Sequence, residues 1–147
     1  MKKLFIVFSA LALLAGFSGV SMAGIQGSVH DFSGFSFAGG QICLPCHTPH
    51  NAVSNAAPLW NHELSTATYN LYSSPSMQAT VNQPTGASKL CLSCHDGTVA
   101  VDSFGGQSGT IFISAFNADA DLTTDLSNDH PISFVYDSQL ATDDGGY

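Results

Sequence analysis

Cys43-Leu44-Pro45-Cys46-His47 and Cys91-Leu92-Ser93-Cys94-His95 together use all four cysteines of the 147-residue chain. In each, two thiols three positions apart on a helical turn can reach the two vinyl groups along one edge of a porphyrin. The next residue turns its imidazole beneath the iron. The doubled pattern predicts two covalent c-type haems, attached through Cys43 and Cys46 and through Cys91 and Cys94, with His47 and His95 as proximal iron ligands. A zinc site would use the same four thiolates. It would leave the histidine after each pair unexplained, and the 44 residues between the pairs exceed a usual zinc-ribbon spacing. Two disulfides would make the duplicated histidine a coincidence. The motifs also read as a repeat at an offset of 48, with Ala52 matching Ala100, but His50 falls on Thr98, so the two sites should differ in their surroundings.

An iron held by one histidine is completed by a second protein ligand, which favours electron transfer, or by water or substrate, which permits chemistry. Six histidines less two proximal ones leave His30, His130, His50 and His62, in that order of preference. Past residue 23 the chain holds one methionine, Met77, so two His/Met irons are impossible and bis-histidine ligation is expected. His130 precedes Pro131, which biases it toward extended backbone, and Asp129 beside it is either exposed or holds the outer nitrogen of the ring. His30 lies in a Gly- and Ser-rich stretch that ligation would order. His50 shares a helical face with His47, so it is either a ligand to the neighbouring haem or a loop histidine. His62, after Trp60 and Asn61, is either a ligand or a turn histidine beside an aromatic plug.

Working toward the N-terminus, Lys2 and Lys3, an apolar run over residues 4–20 and Ser21-Met22-Ala23 have the order of a secretory signal peptide cleaved after Ala23. The domain expectation is residues 1–23 as signal peptide and 24–147 as a multihaem, at least dihaem, cytochrome c domain. Cleavage leaves Lys89 as the one cation against eleven carboxylates, a formal charge of 1 − 11 = −10. That charge excludes nucleic acid as the main partner and argues against an anionic membrane surface. No stable membrane insertion is expected after cleavage.

Toward the C-terminus the chain is mostly turn chemistry. The expected fold is mostly irregular with a few short helices, organised by covalently bound haems. The two best helical segments carry the motifs, and Ser88 is the expected N-cap for residues 89–95. A weaker helix is expected over 65–71. Residues 110–116 and 132–136, rich in β-branched and aromatic side chains, are expected to pair as a small β ribbon. Asp119, Asp121, Asp125 and Asp129 lack the glycine and closing glutamate of an EF-hand loop and read as a solvated acidic loop.

Residues 43–52 (CLPCHTPHNA), 58–62 (PLWNH), 89–100 (KLCLSCHDGTVA), Phe104-Gly105-Gly106 and 129–134 (DHPISF) resemble exported multihaem c-type cytochromes with doubled CxxCH motifs, above all the outer-surface cytochromes of metal-respiring bacteria. The resemblance implies closely stacked bis-histidine haems and low-potential electron transfer in the periplasm or outside the cell. The implied partners are redox proteins or an extracellular electron acceptor, and some relatives self-assemble into filaments through haem-edge contacts. Such relatives commonly continue into further CxxCH motifs. With two spare histidines beyond the needs of two irons, the chain is expected to be an N-terminal part of a longer tetrahaem-type protein. A haem enzyme, reductase or peroxidase, with one open axial position is the rival reading; the sequence past residue 23 offers no arginine, and its single lysine sits just before a haem motif.

Overall fold

The computed structural model describes residues 24–54, 56 and 58–145. The expected signal peptide lies outside the described residues. The chain divides into two units, Met1–Asp31 and Phe32–Tyr147. In the first, residues 24–31 form local turns: Ser28 N–H donates to Ile25 O (3.0 Å), Asp31 N–H to Ser28 O (3.0 Å) and Gly27 N–H to the Asp31 carboxylate (2.7 Å).

In the second unit most of the chain is irregular, as the turn-rich sequence led us to expect. Its regular elements are β1 (Asn70–Leu71), α1 (Gly86–His95), β2 (Asp125–Leu126) and α2 (Ser138–Asp143), with 3-10 turns at Phe32–Gly34, Ser36–Ala38, Ile113–Ala115 and Ala118–Ala120. Helix α1 carries the second motif but starts before Ser88. Thr85 is the N-cap, and it is tethered by its own N–H to Ser133 Oγ (2.9 Å). The helix can begin at Gly86 because the first turn needs no intrahelical N–H partner. At its other end, Gly97 (φ +68°) turns the chain beneath Asp121.

The first motif forms a single turn rather than a helix, with His47 N–H donating to Cys43 O at 2.8 Å and Cys46 N–H to the same oxygen at 3.2 Å. Pro45 offers no N–H to extend it. The expected helix over 65–71 is also absent. That segment is extended, because Gln83 binds both sides of Tyr69 as a neighbouring strand would: Tyr69 N–H donates to Gln83 Oε1 and Gln83 Nε2 to Tyr69 O, each at 2.9 Å.

The expected ribbon between 110–116 and 132–136 does not form. Asp102 takes the N–H groups of Thr110 (2.9 Å) and Ile111 (2.8 Å), Ile113–Ala115 curls into a 3-10 turn, and Ser133 (φ +61°) breaks the second segment. The sheet is instead the parallel pair β1–β2, in the register Asn70 with Asp125 and Leu71 with Leu126. Asn70 Nδ2 donates across it to Asp125 Oδ1 at 2.9 Å.

The core is small. Tyr69, Leu92 and Leu126 pack together, flanked by Ala67 and Leu71. Burying a leucine such as Leu92 contributes roughly 1.5–3 kcal/mol, which ties α1 to the strand pair. A separate aromatic group joins the Phe35 and Phe37 rings, stacked at 5.4 Å, to Phe116 edge-on at 5.0 Å from Phe35. Among the described residues no helix is long and apolar enough to cross a membrane.

Gly109 marks the tightest backbone approach. A methyl there would collide with the Asp102 carboxylate and lie 2.6 Å from the Asp102 carbonyl carbon. The same carboxylate organises residues 110 and 111, so it cannot move without losing them. Gly109→Ala is expected to cost about 1–3 kcal/mol, read as a lower denaturation midpoint at unchanged slope. A midpoint equal to that of the parent would contradict the packing described.

Candidate functional site

A strip of four residues, 60–63, runs between the two motifs and is stitched to both sides. Toward the first motif, His47 and Trp60 form an antiparallel bridge, Thr48 N–H donates to Leu59 O (2.9 Å) and Asn61 N–H to Cys46 O (2.9 Å). Toward the other side, His62 bridges to Phe104 and Glu63 N–H donates to Ser103 O (2.8 Å). Asn61 is buried and uses both ends of its carboxamide, donating to Leu44 O (2.7 Å) and accepting from Gly105 N–H (3.1 Å). Residues 58–62 were read for their histidine, an aromatic plug and a family resemblance; the clasp formed by Asn61 carries no signal in a single sequence.

The histidines of the two motifs share one feature. His47 Nδ1 faces Pro58 O at 3.0 Å and His95 Nδ1 faces Ala120 O at 2.8 Å. A carbonyl only accepts, so each ring carries its proton on Nδ1 and its lone pair on Nε2, the tautomer of a metal-ligating imidazole held by an outer partner. His130 has the same arrangement through Pro131 O (2.9 Å), so its outer nitrogen is held by a carbonyl and not by Asp129.

The four cysteines are free thiols. Burial pushes the Cys94 thiol up to about 12, with the nearby Cys46, Asp96 and Cys91 adding to it. Burial also raises Cys46, helped by Cys43 and Cys91. The mutual effects bring the two motifs close enough to sense each other's charge. Among the described residues no three His, Cys, Asp or Glu side chains gather as a metal ion bound by them alone would require.

Of the remaining histidines, His62, placed last in the sequence reading, is the one whose ring meets a motif cysteine. It is 1% exposed, and its Nε2 lies 3.4 Å from Cys94 Sγ. Its two ring nitrogens both face carbonyls, Nδ1 to Glu63 O at 2.7 Å and Nε2 to Ala100 O at 3.0 Å. A neutral imidazole donates from only one nitrogen, so one carbonyl faces a lone pair. His50 is exposed in the loop after the first motif, where its main-chain oxygen accepts from Thr48 Oγ1 at 2.8 Å. His30 belongs to the first unit and is exposed there.

Two features were not anticipated. Asp96, 3% exposed directly after His95, accepts from Ser65 Oγ, Tyr69 Oη (2.6 Å), Thr98 N–H (2.8 Å) and Thr98 Oγ1 (2.8 Å). Burial raises its carboxyl, but these donors outweigh burial and hold it below the ordinary carboxylate value. Tyr69 is pushed up to about 12, by burial first and then by Asp96, so its hydroxyl stays a donor. The second feature is Trp60. Its ring lies edge-on to His47 (6.1 Å between centroids) and His62 (6.4 Å), and its Nε1 is buried with no hydrogen-bond partner among the described residues. An unmet buried N–H costs about 1–3 kcal/mol.

These residues fit a covalently attached haem. The thiols are not engaged with one another, the rings of both motif histidines keep the lone pair on Nε2, and beside His47 a buried donor has no acceptor among the described residues. No family model matches the chain, and no curated protein matches it.

Proposed function

We propose that this chain is an electron carrier bearing two c-type haems, one attached through Cys43 and Cys46 and the other through Cys91 and Cys94. Its setting would be periplasmic or extracellular electron transport. The observation that carries the reading is the shared tautomer of His47 and His95, each fixed by a main-chain carbonyl in the form that offers Nε2 to iron. The bound haem supplies a one-electron ferric/ferrous couple.

The chain holds and tunes. His47 and His95 bind from the proximal side. Distal ligands would come from His30, His130, His50 or His62, and His62 would first have to turn its buried Nε2 away from the Ala100 carbonyl. His130 already has its Nδ1 engaged as a ligating ring requires. Asn61 and Asp96 fix the backbone on either side, so little need reorganise when the charge changes. Histidine as sixth ligand keeps the potential lower than methionine would, and eleven carboxylates against a single lysine past residue 23 favour the ferric state further. Docking partners are expected to present a basic surface.

Protein produced in a host competent in cytochrome maturation should carry two haems by intact mass. It should show low-spin spectra unchanged by carbon monoxide at short times, and titrate at negative midpoint potentials. A high-spin component would favour a haem enzyme, and a colourless product with thiols open to alkylation would refute the proposal.

A further inference from the structure

Trp60 is the one tryptophan in the chain and is 9% exposed. Buried indole N–H groups ordinarily find an acceptor, so its acceptor can be sought by accounting for the oxygens around it. The carbonyl of Pro58 takes His47 Nδ1, that of Leu59 takes Thr48 N–H, and that of Trp60 itself takes Val53 N–H. Asn61 O receives Gly105 N–H, Cys46 O receives Asn61 N–H, and Leu44 O receives Asn61 Nδ2. Each of these main-chain oxygens already has a donor, and among the described residues none lies within hydrogen-bonding reach of Nε1. Meanwhile the indole lies edge-on to His47, a proximal ligand in the proposed reading, and to His62.

We infer that Trp60 Nε1–H is a cofactor-contacting donor that hydrogen-bonds a haem propionate carboxylate. The inference rests on the proposed haem attachment. A propionate is the strong acceptor that a haem itself presents beyond its iron and ring nitrogens, and a charged acceptor is the best partner for a buried N–H. Lys89, the only cation past residue 23, lies in α1 and not in the strip of residues 60–63. A donor at Nε1 would stabilise negative charge on that carboxylate. By dispersing that charge it makes the carboxylate less effective at holding iron ferric, and so raises the potential.

A single tryptophan gives a single indole resonance. In the reduced, diamagnetic holoprotein labelled with 15N-tryptophan, the indole N–H should appear downfield of its free position and exchange slowly with water. It should also shift with the titration of one carboxyl group. Trp60→Phe should keep both haems, lower the midpoint potential of one, and raise the pH at which that potential responds to protonation. An indole signal at the free position with no pH response, together with an unchanged potential in Trp60→Phe, overturns the inference while leaving haem attachment intact. Protein without haem by mass overturns both. If Trp60→Phe fails to fold, the indole titration in the parent protein decides alone.

Discussion

Cys43→Ser/Cys46→Ser and Cys91→Ser/Cys94→Ser proteins are each expected to carry one haem in place of two, but to lose structure unequally. Among the described residues few apolar side chains are buried, so a lost porphyrin cannot be replaced by the chain's own packing. The second motif nevertheless rides on α1, which the chain itself secures through Leu92 in the core and through Ser93, whose hydroxyl accepts Ser65 N–H at 3.0 Å. The first motif is one turn, held mainly by main-chain contacts to residues 58–61. Hydrogen exchange should therefore show residues 43–53 unprotected in the first variant and α1 still partly protected in the second. Two haems by mass in either variant would contradict the attachment residues.

The second large effect concerns Asp96. Asp96→Ala removes the acceptor shared by Ser65, Tyr69 and Thr98, and the remaining contacts of Tyr69 Oη to Ser65 Oγ (3.2 Å) and of Ser65 Oγ to Thr98 Oγ1 (3.1 Å) cannot replace all four bonds, Thr98 N–H above all. A loss on the order of 3–5 kcal/mol is expected, a large fraction of the net stability of a small domain. Asp96→Asn keeps one oxygen and should cost less, about 1–2 kcal/mol. The carboxyl is held below its ordinary value, so its contribution is fully present above that value and is lost as the pH falls through the lower, folded one. Comparing denaturant unfolding of the parent and Asp96→Asn at neutral pH and near pH 3 tests this: the gap between them should narrow in acid. A constant gap would show that the Asp96 charge contributes nothing.

What could be read in advance divides along physical lines. Spacing and turn residues are local, so the largely irregular course of the chain and the helix at Cys91–His95 were legible. Even there, the helix start moved from Ser88 to Thr85, because the tether to Ser133, 48 residues away, has no local trace. The β-branched segments 110–116 and 132–136 were misread as partners because propensity does not reveal that the Asp102 carboxylate claims the N–H groups of Thr110 and Ile111. The pairing of Asn70–Leu71 with Asp125–Leu126 left no pattern in two-residue strands. At the site, His47 and His95 stood out from their motif, whereas the value of Trp60, Asn61 and Asp96 depends on distant donors and acceptors. The proximity of His62 to Cys94 likewise comes from a chain reversal that sequence spacing does not encode.

The β1–β2 pair also sets an order of events. Its partners stand 55 positions apart, from Asn70 to Asp125, and the whole of α1 lies within the loop they close. Drawing such a loop shut costs on the order of 3–4 kcal/mol in chain entropy, against a pairing of only two residues per strand. Closure must therefore wait until Leu92 and Leu126 meet, late in folding and after residue 126 has emerged. Until then the Cys91–His95 segment hangs on an open tether, and the clasp shuts behind it.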